Sequence, residues 1–77
     1  EVIEMVKENE IKNEAQVEKI NWLACSAPYE VWLNAGSVML DARSLLGLFA
    51  LVGRKANVVV EDGVAPRSFQ KLVAQMG

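Results

Sequence analysis

The chain has 77 residues, of which 52% are hydrophobic, and its formal net charge at pH 7 is −2. A chain of this length forms one domain, residues 1–77, and its hydrophobic content argues against disorder. The mildly acidic composition, without a stripe of Lys and Arg, argues against nucleic-acid binding, and no apolar run approaches the ~20 residues that span a bilayer.

The chain begins with a pattern that predicts a strand. Residues Glu1–Lys7 alternate in polarity, with Ile3 and Met5 facing inward, which is typical of a half-buried strand. The polar residues 8–10 that follow predict a loop.

An amphipathic helix is predicted next, from about Asn13 to Cys25. Asn13 is a favourable helix N-cap, and Gln16, three residues later, makes a variant of the capping box. Pro28 ends the helix region, because proline disfavours helical geometry in the residue before it. The apolar stripe of this helix consists of Val17, Ile20, Leu23 and Ala24.

The middle of the chain predicts a β-hairpin. Tyr29–Asn34 alternates, with Val31 and Leu33 on one face, and residues 35–37 form a turn before a second strand at Val38–Asp41. Beyond it, Ser44 caps a short helix whose apolar residues are Leu45, Leu46, Leu48, Phe49, Leu51 and Val52.

The last part of the chain predicts one more strand and one more helix. The β-branched residues within Asn57–Glu61 favour a strand, and Pro66 suits the first turn of a helix. The order β-α-β-β-α-β-α therefore predicts an α+β fold, a two-layer open-faced sandwich. A four-stranded antiparallel sheet would carry three helices on one face.

This element order resembles that of HPr, the phosphocarrier protein of the bacterial sugar phosphotransferase system. The closest local similarity is the segment Asp41–Phe49, in which a basic residue is followed by Ser44, two large aliphatic residues, a glycine and two further apolar residues. The resemblance extends over essentially the whole chain and implies an HPr-like domain at residues 1–77.

The chain departs from the family at the phosphorylated residue. HPr proteins carry the phosphoryl group on a histidine at the start of the first helix, and that position falls here on Lys12 or Asn13. The chain contains no histidine. We therefore expect no phosphotransfer, no enzymatic activity and no cofactor, and a degenerate anion site in which Lys12 still attracts an anion and Glu14 repels phosphate.

Ser44 is a candidate regulatory phosphorylation site. In many HPr proteins the matching serine is phosphorylated by HPr kinase/phosphorylase, and the product binds a transcriptional regulator, so the resemblance implies these two partners. A phosphate at a helix N-terminus is favoured by the helix dipole. The alternative is that Ser44 serves only as an N-cap, a role in which serine is common.

The short helix after Ser44 is apolar on nearly every side, so part of it must be exposed. An exposed apolar patch on a small domain is typical of a docking surface, and HPr proteins bind partners through this region. The corresponding residues are Ile11, Leu45, Leu46 and Phe49. The alternative is that neighbouring loops cover most of this helix.

Several other residues carry weaker signals. Cys25 is expected to be a buried, unreactive thiol, and a single cysteine excludes an internal disulfide and fits a reducing cytoplasm. The acidic residues Glu8, Glu10 and Glu14 lack the spacing of a calcium loop, so no metal site is expected.

Two functions follow from these observations. The first is a cytoplasmic regulatory or protein-binding domain without phosphocarrier activity, controlled through Ser44. The second is a structural or homo-oligomerisation domain, in which the exposed apolar surface forms a homodimer that Phe49→Asp would abolish.

Overall fold

The computed structural model describes residues 6–76. Four strands form one antiparallel sheet in the order β1-β4-β2-β3, which leaves β1 and β3 at its edges. The predicted α+β class, an open-faced sandwich with three helices on one face of a four-stranded sheet, is confirmed. The elements are β1 (Val6–Glu10), α1 (Glu14–Ser26), β2 (Val31–Ala35), β3 (Val38–Asp41), α2 (Leu45–Phe49), β4 (Lys55–Val60) and α3 (Pro66–Met76).

One face of the sheet is buried under the helices. In β2, Val31, Leu33 and Ala35 are buried while Trp32 and Asn34 are half-buried, which is the predicted alternation. The central strand β4 alternates in the same way, so the two strands place their apolar side chains on the same side. The helices complete this core with Val17, Ile20, Leu23, Ala24, Leu48, Phe69, Leu72 and Met76.

The opposite face of the sheet is not covered by any of the three helices found between residues 6 and 76. Val6, Val59 and Trp32 lie side by side across three strands, because Val59 pairs with Val6 on one side and with Trp32 on the other. Trp32 and Val59 are half-buried there, and Val6 is exposed. Trp32 thus lies on an inner strand of the open face.

The predicted position of the first strand is only partly right. Residues 8–10, predicted as a loop, belong to β1, and Glu8 pairs with Asn57 of β4. An edge strand tolerates such polar residues, because backbone hydrogen bonds to one neighbour hold it while its side chains reach water. Ile3 and Met5 lie outside the described residues.

The helix α2 is shorter than its apolar pattern predicts. It ends at Phe49, and Leu51 and Val52 lie in the turn that follows, with the Leu51 amide donating to the Leu48 carbonyl at 2.9 Å. Gly53 then adopts a φ of 87°, a left-handed conformation that favours glycine and turns the chain into β4.

The remaining boundaries agree closely with the sequence. β3 and the start of α3 at Pro66 fall where predicted, and α1 begins after Asn13 and continues through Ser26. β4 begins and ends slightly earlier than the predicted Asn57–Glu61. None of the helices between residues 6 and 76 has the length and apolar character that spanning a bilayer requires.

Candidate functional site

The start of α1 is fixed by a network of hydrogen bonds around Gln16. The Asn13 side chain accepts from the Gln16 amide at 2.9 Å, which is the predicted N-cap. The Gln16 carboxamide accepts from the Lys12 amide at 2.9 Å and donates to the Glu10 carbonyl at 2.8 Å. This is a variant of the capping box, because the backbone amide that donates to Gln16 belongs to Lys12, the residue before the cap. The second bond attaches Glu10, the last residue of β1, to the helix.

Neither Lys12 nor Asn13, the two residues expected at the position of the HPr histidine, offers an equivalent of the imidazole. Lys12 is exposed, and Asn13 uses its side-chain oxygen to cap the helix. Glu14, the first residue of α1, adds a negative charge next to them. This arrangement suits the helix dipole but disfavours a bound phosphate.

The segment before α2 is held by a group of ion pairs. Asp41 accepts from the Arg43 amide at 2.9 Å and from its guanidinium at 2.9 and 3.2 Å, and Arg43 also reaches Glu30 at 2.6 Å. The side-chain hydrogen bond from Arg43 holds the pKa of Asp41 below its usual value. These contacts join the residue before β2 to the end of β3.

Ser44 occupies the N-cap position of α2, but its side chain makes no capping hydrogen bond. Only its backbone is used: the amide donates to the Asp41 carbonyl at 2.9 Å, and the carbonyl accepts from the Leu48 amide at 3.0 Å. The residue is exposed, and a Cβ at Gly47 would lie 3.2 Å from the Ser44 hydroxyl oxygen. Glycine at position 47 therefore leaves room beside this hydroxyl.

The α2 apolar surface, formed by Leu45, Leu46 and Phe49, is partly open to solvent. Leu46 is 85% exposed, Leu45 is also exposed, and Phe49 is half-buried against the core. Leu48, on the inner side of the same helix, is completely buried. One side of α2 therefore packs on the core while Leu45 and Leu46 face water.

The prediction that Ile11 contributes to this docking surface is wrong. Ile11 is 1% exposed and belongs to the hydrophobic core. It nevertheless links the two parts of the candidate site through its backbone. Its amide donates to the Arg54 carbonyl at 2.9 Å, and its carbonyl accepts from the Gly53 amide at 2.7 Å. The chain before α1 is thereby attached to the chain after α2.

A second link connects α1 to the loop before Ser44. The Asn21 carboxamide donates to the Ala42 carbonyl at 3.2 Å. Ile11 thus attaches the chain before α1 to the turn after α2, and Asn21 attaches the middle of α1 to the segment before Ser44. The pattern of the sequence gives no sign of this link, because Asn21 lies outside the apolar stripe of α1 and its partner is a backbone atom.

The remaining sequence predictions concern the thiol of Cys25 and a metal site. Cys25 is exposed, so the prediction of a buried thiol is wrong. The helix buries Leu23 and Ala24 on its core side, and one more residue turns the side chain outward. No group of three or more His, Cys, Asp or Glu residues that could hold a metal is found among residues 6–76.

Comparison of the chain with protein-family models and with curated protein sequences gives no match.

Proposed function

We propose that this chain is a protein-binding domain related to HPr that lacks phosphocarrier activity and binds its partners in the cytoplasm through the α2 apolar surface. The observation that carries the proposal is the 85% exposure of Leu46 on a helix that Leu48 anchors in the core. An exposed apolar side chain on a fixed backbone can bury its surface in a partner with little loss of conformational entropy.

Ser44 is the proposed point of control. Its hydroxyl is exposed and is not used for capping, so phosphorylation would not break an existing hydrogen bond. A phosphate there would add about −1.5 to −2 charges beside Leu45, at the edge of the α2 apolar surface. Phosphorylation would therefore change which partners bind rather than unfold the domain.

The control is tested by incubating the chain with HPr kinase/phosphorylase and ATP and measuring its mass. We expect one added phosphoryl group, located at Ser44 by fragmentation and absent from Ser44→Ala. A genuine HPr serves as the positive control. An unmodified chain under conditions that label this control would contradict the role of Ser44.

The partner surface is tested by titrating the same kinase into the ¹⁵N-labelled chain and following amide resonances by NMR. We expect the resonances of Leu45 and Leu46 to shift, and Leu46→Asp to weaken binding about tenfold or more. Met39→Asp is the matched control, because Met39 is also exposed but lies on β3. Equal binding by both variants would show that the α2 apolar surface is not the contact.

Loss of phosphocarrier activity is a separate part of the proposal. With Enzyme I and phosphoenolpyruvate, we expect no acid-labile phosphoryl group on this chain, because it contains no histidine. Detection of such a group would refute this part.

The exposure of Leu46 also favours a second candidate, a homodimer formed through the α2 apolar surface. Sedimentation of the wild type and of Leu46→Asp distinguishes the two functions. A dimer that Leu46→Asp converts to a monomer favours self-association. Leu46→Asp is a cleaner test than Phe49→Asp, because Phe49 is half-buried against the core.

A further inference from the structure

A groove of about 440 Å³ lies between the end of α1 and α3, and no residue of α2 or of the start of α1 lines it. Its floor and walls come from α1, from the segment that leads to β2, and from one side of α3. The lining side chains that can contact a ligand through an aromatic ring or a polar group are Trp22, Ser26, Tyr29, Ser68, Lys71 and Gln75. Its volume falls within the range of ~300–1,000 Å³ typical of small-molecule sites.

Two aromatic side chains give the groove its apolar character. Trp22 is 66% exposed, and Tyr29 is half-buried and packs against the core. Burial raises the pKa of the Tyr29 hydroxyl, which agrees with a position that water reaches only in part. An indole left in water is costly, and covering it with an apolar ligand recovers the hydrophobic free energy.

Of the residues that the structure describes, Lys71 is the only charged one that lines the groove. Within residues 6–76, the salt bridges join Arg43 to Asp41 and to Glu30, so the Lys71 ammonium has no carboxylate partner there. The helix α3 carries Arg67 and Lys71 and no acidic residue, although the whole chain has a net charge of −2. The ammonium of Lys71 at the groove favours an anion.

We propose that the groove between α1 and α3 binds a small organic monoanion, whose apolar body covers Trp22 and Tyr29 and whose carboxylate or sulfonate pairs with Lys71. The hydroxyls of Ser26 and Ser68 and the carboxamide of Gln75 supply further polar contacts at the groove. This site is separate from the α2 apolar surface, and neither proposal depends on the other.

The test uses 8-anilinonaphthalene-1-sulfonate, an aromatic monoanion, and N-phenyl-1-naphthylamine, which has a similar body and no charge. Each is titrated into the ¹⁵N-labelled chain while amide resonances are followed by NMR. We expect saturable shifts at Ser26, Ser68 and Gln75, with one anion bound per chain and weaker binding of the neutral compound.

Substitutions then separate the charge from the apolar contact. Lys71→Met should weaken binding of the anion about fivefold to tenfold and leave binding of the neutral compound unchanged. Trp22→Ala should weaken binding of both compounds. Lys19→Met is the matched control, because Lys19 is an exposed lysine of α1 outside the groove, and it should bind both compounds as the wild type does. Lys71 and Trp22 are exposed, so both variants should keep the wild-type fold.

Three results would overturn the proposal. The first is the absence of saturable shifts at the groove. The second is shifts confined to Leu45 and Leu46, which would place the anion on the α2 apolar surface. The third is groove resonances that shift with protein concentration alone, which would assign the groove to a second copy of the chain.

Discussion

The carbonyl of Ile11 accepts a hydrogen bond of 2.7 Å from the amide of Gly53. This bond attaches the residues before α1 to the turn after α2, and it places two separate segments of the candidate site in a fixed relation. Gly53 makes this bond with a φ of 87°, a left-handed conformation that glycine adopts without a Cβ penalty, and the chain then continues through Arg54 into β4.

Gly53→Ala is expected to destabilise the fold. A Cβ at this position would meet no described atom within 4 Å apart from its chain neighbours, so the cost comes from the left-handed backbone conformation. We expect the free energy of unfolding to fall by about 1–2 kcal/mol, measured by urea denaturation. Gly53→Asn should lower the free energy of unfolding less than Gly53→Ala does, because asparagine tolerates the left-handed conformation better than alanine. Equal losses for the two variants would contradict a conformational cause.

Asn13→Ala and Ser44→Ala test two N-cap positions that differ in one contact. Asn13 caps α1 with its side chain, whereas the hydroxyl of Ser44 makes no hydrogen bond to α2. Asn13→Ala should cost about 1 kcal/mol of unfolding free energy, and Ser44→Ala less than about 0.5 kcal/mol. A loss near 1 kcal/mol for Ser44→Ala would show that its hydroxyl caps the helix in solution.

Leu48→Ala and Leu46→Ala compare the two sides of α2. Leu48 is completely buried, and its truncation leaves a cavity that should cost about 2–5 kcal/mol. Leu46 is 85% exposed, and its truncation should change the unfolding free energy by no more than about 0.5 kcal/mol. Thermal or chemical denaturation measures both. A large loss for Leu46→Ala would mean that its side chain is covered in solution, for example in a dimer.

The contribution of Asp41 to stability should depend on pH. Its pKa is lowered in the folded state, so the stabilisation is present above the unfolded value of about 4 and is lost as the pH falls through the lower folded value. Asp41→Asn keeps an acceptor for the Arg43 amide but removes the charge. At pH 7 we expect this variant to melt about 1–4 °C below the wild type. The difference is small because the Asp41–Arg43 ion pair is partly exposed to solvent.

The two melting temperatures should converge as the pH falls through the lowered folded pKa of Asp41, because protonated Asp41 is as neutral as asparagine. The measurement is a series of thermal melts between pH 2 and pH 7. A difference that stays constant over this range would mean that the charge of Asp41 is not responsible.

Much of the fold follows from local patterns. The alternation of β2 predicts its buried face, and the spacing of Val17, Ile20 and Ala24 predicts the buried side of α1. Asn13 predicts where that helix begins. Each of these signals resides within a few consecutive residues, so it can be interpreted without knowing which elements are neighbours in space.

The first strand and the candidate site are harder to predict from local sequence patterns. Residues 8–10 have the composition of a loop, and only the neighbouring β4 makes them a strand. The resemblance to HPr predicts Ile11 on the docking surface, yet in the structure its side chain is buried in the core. The ion pair between Arg43 and Glu30 joins residues far apart in the chain, and so does the groove beside Trp22. No local sequence pattern predicts either feature.

From the amino-acid sequence one can predict the order of the elements, the apolar sides of the helices and of the inner strands, and the lack of an imidazole. Only the folded structure shows that Ile11 is buried, that the Ser44 hydroxyl makes no capping hydrogen bond and that Leu46 is exposed to water. This difference arises because propensity and periodicity act over one or two turns. Burial and hydrogen-bond partners depend on which distant segments the folded chain brings together.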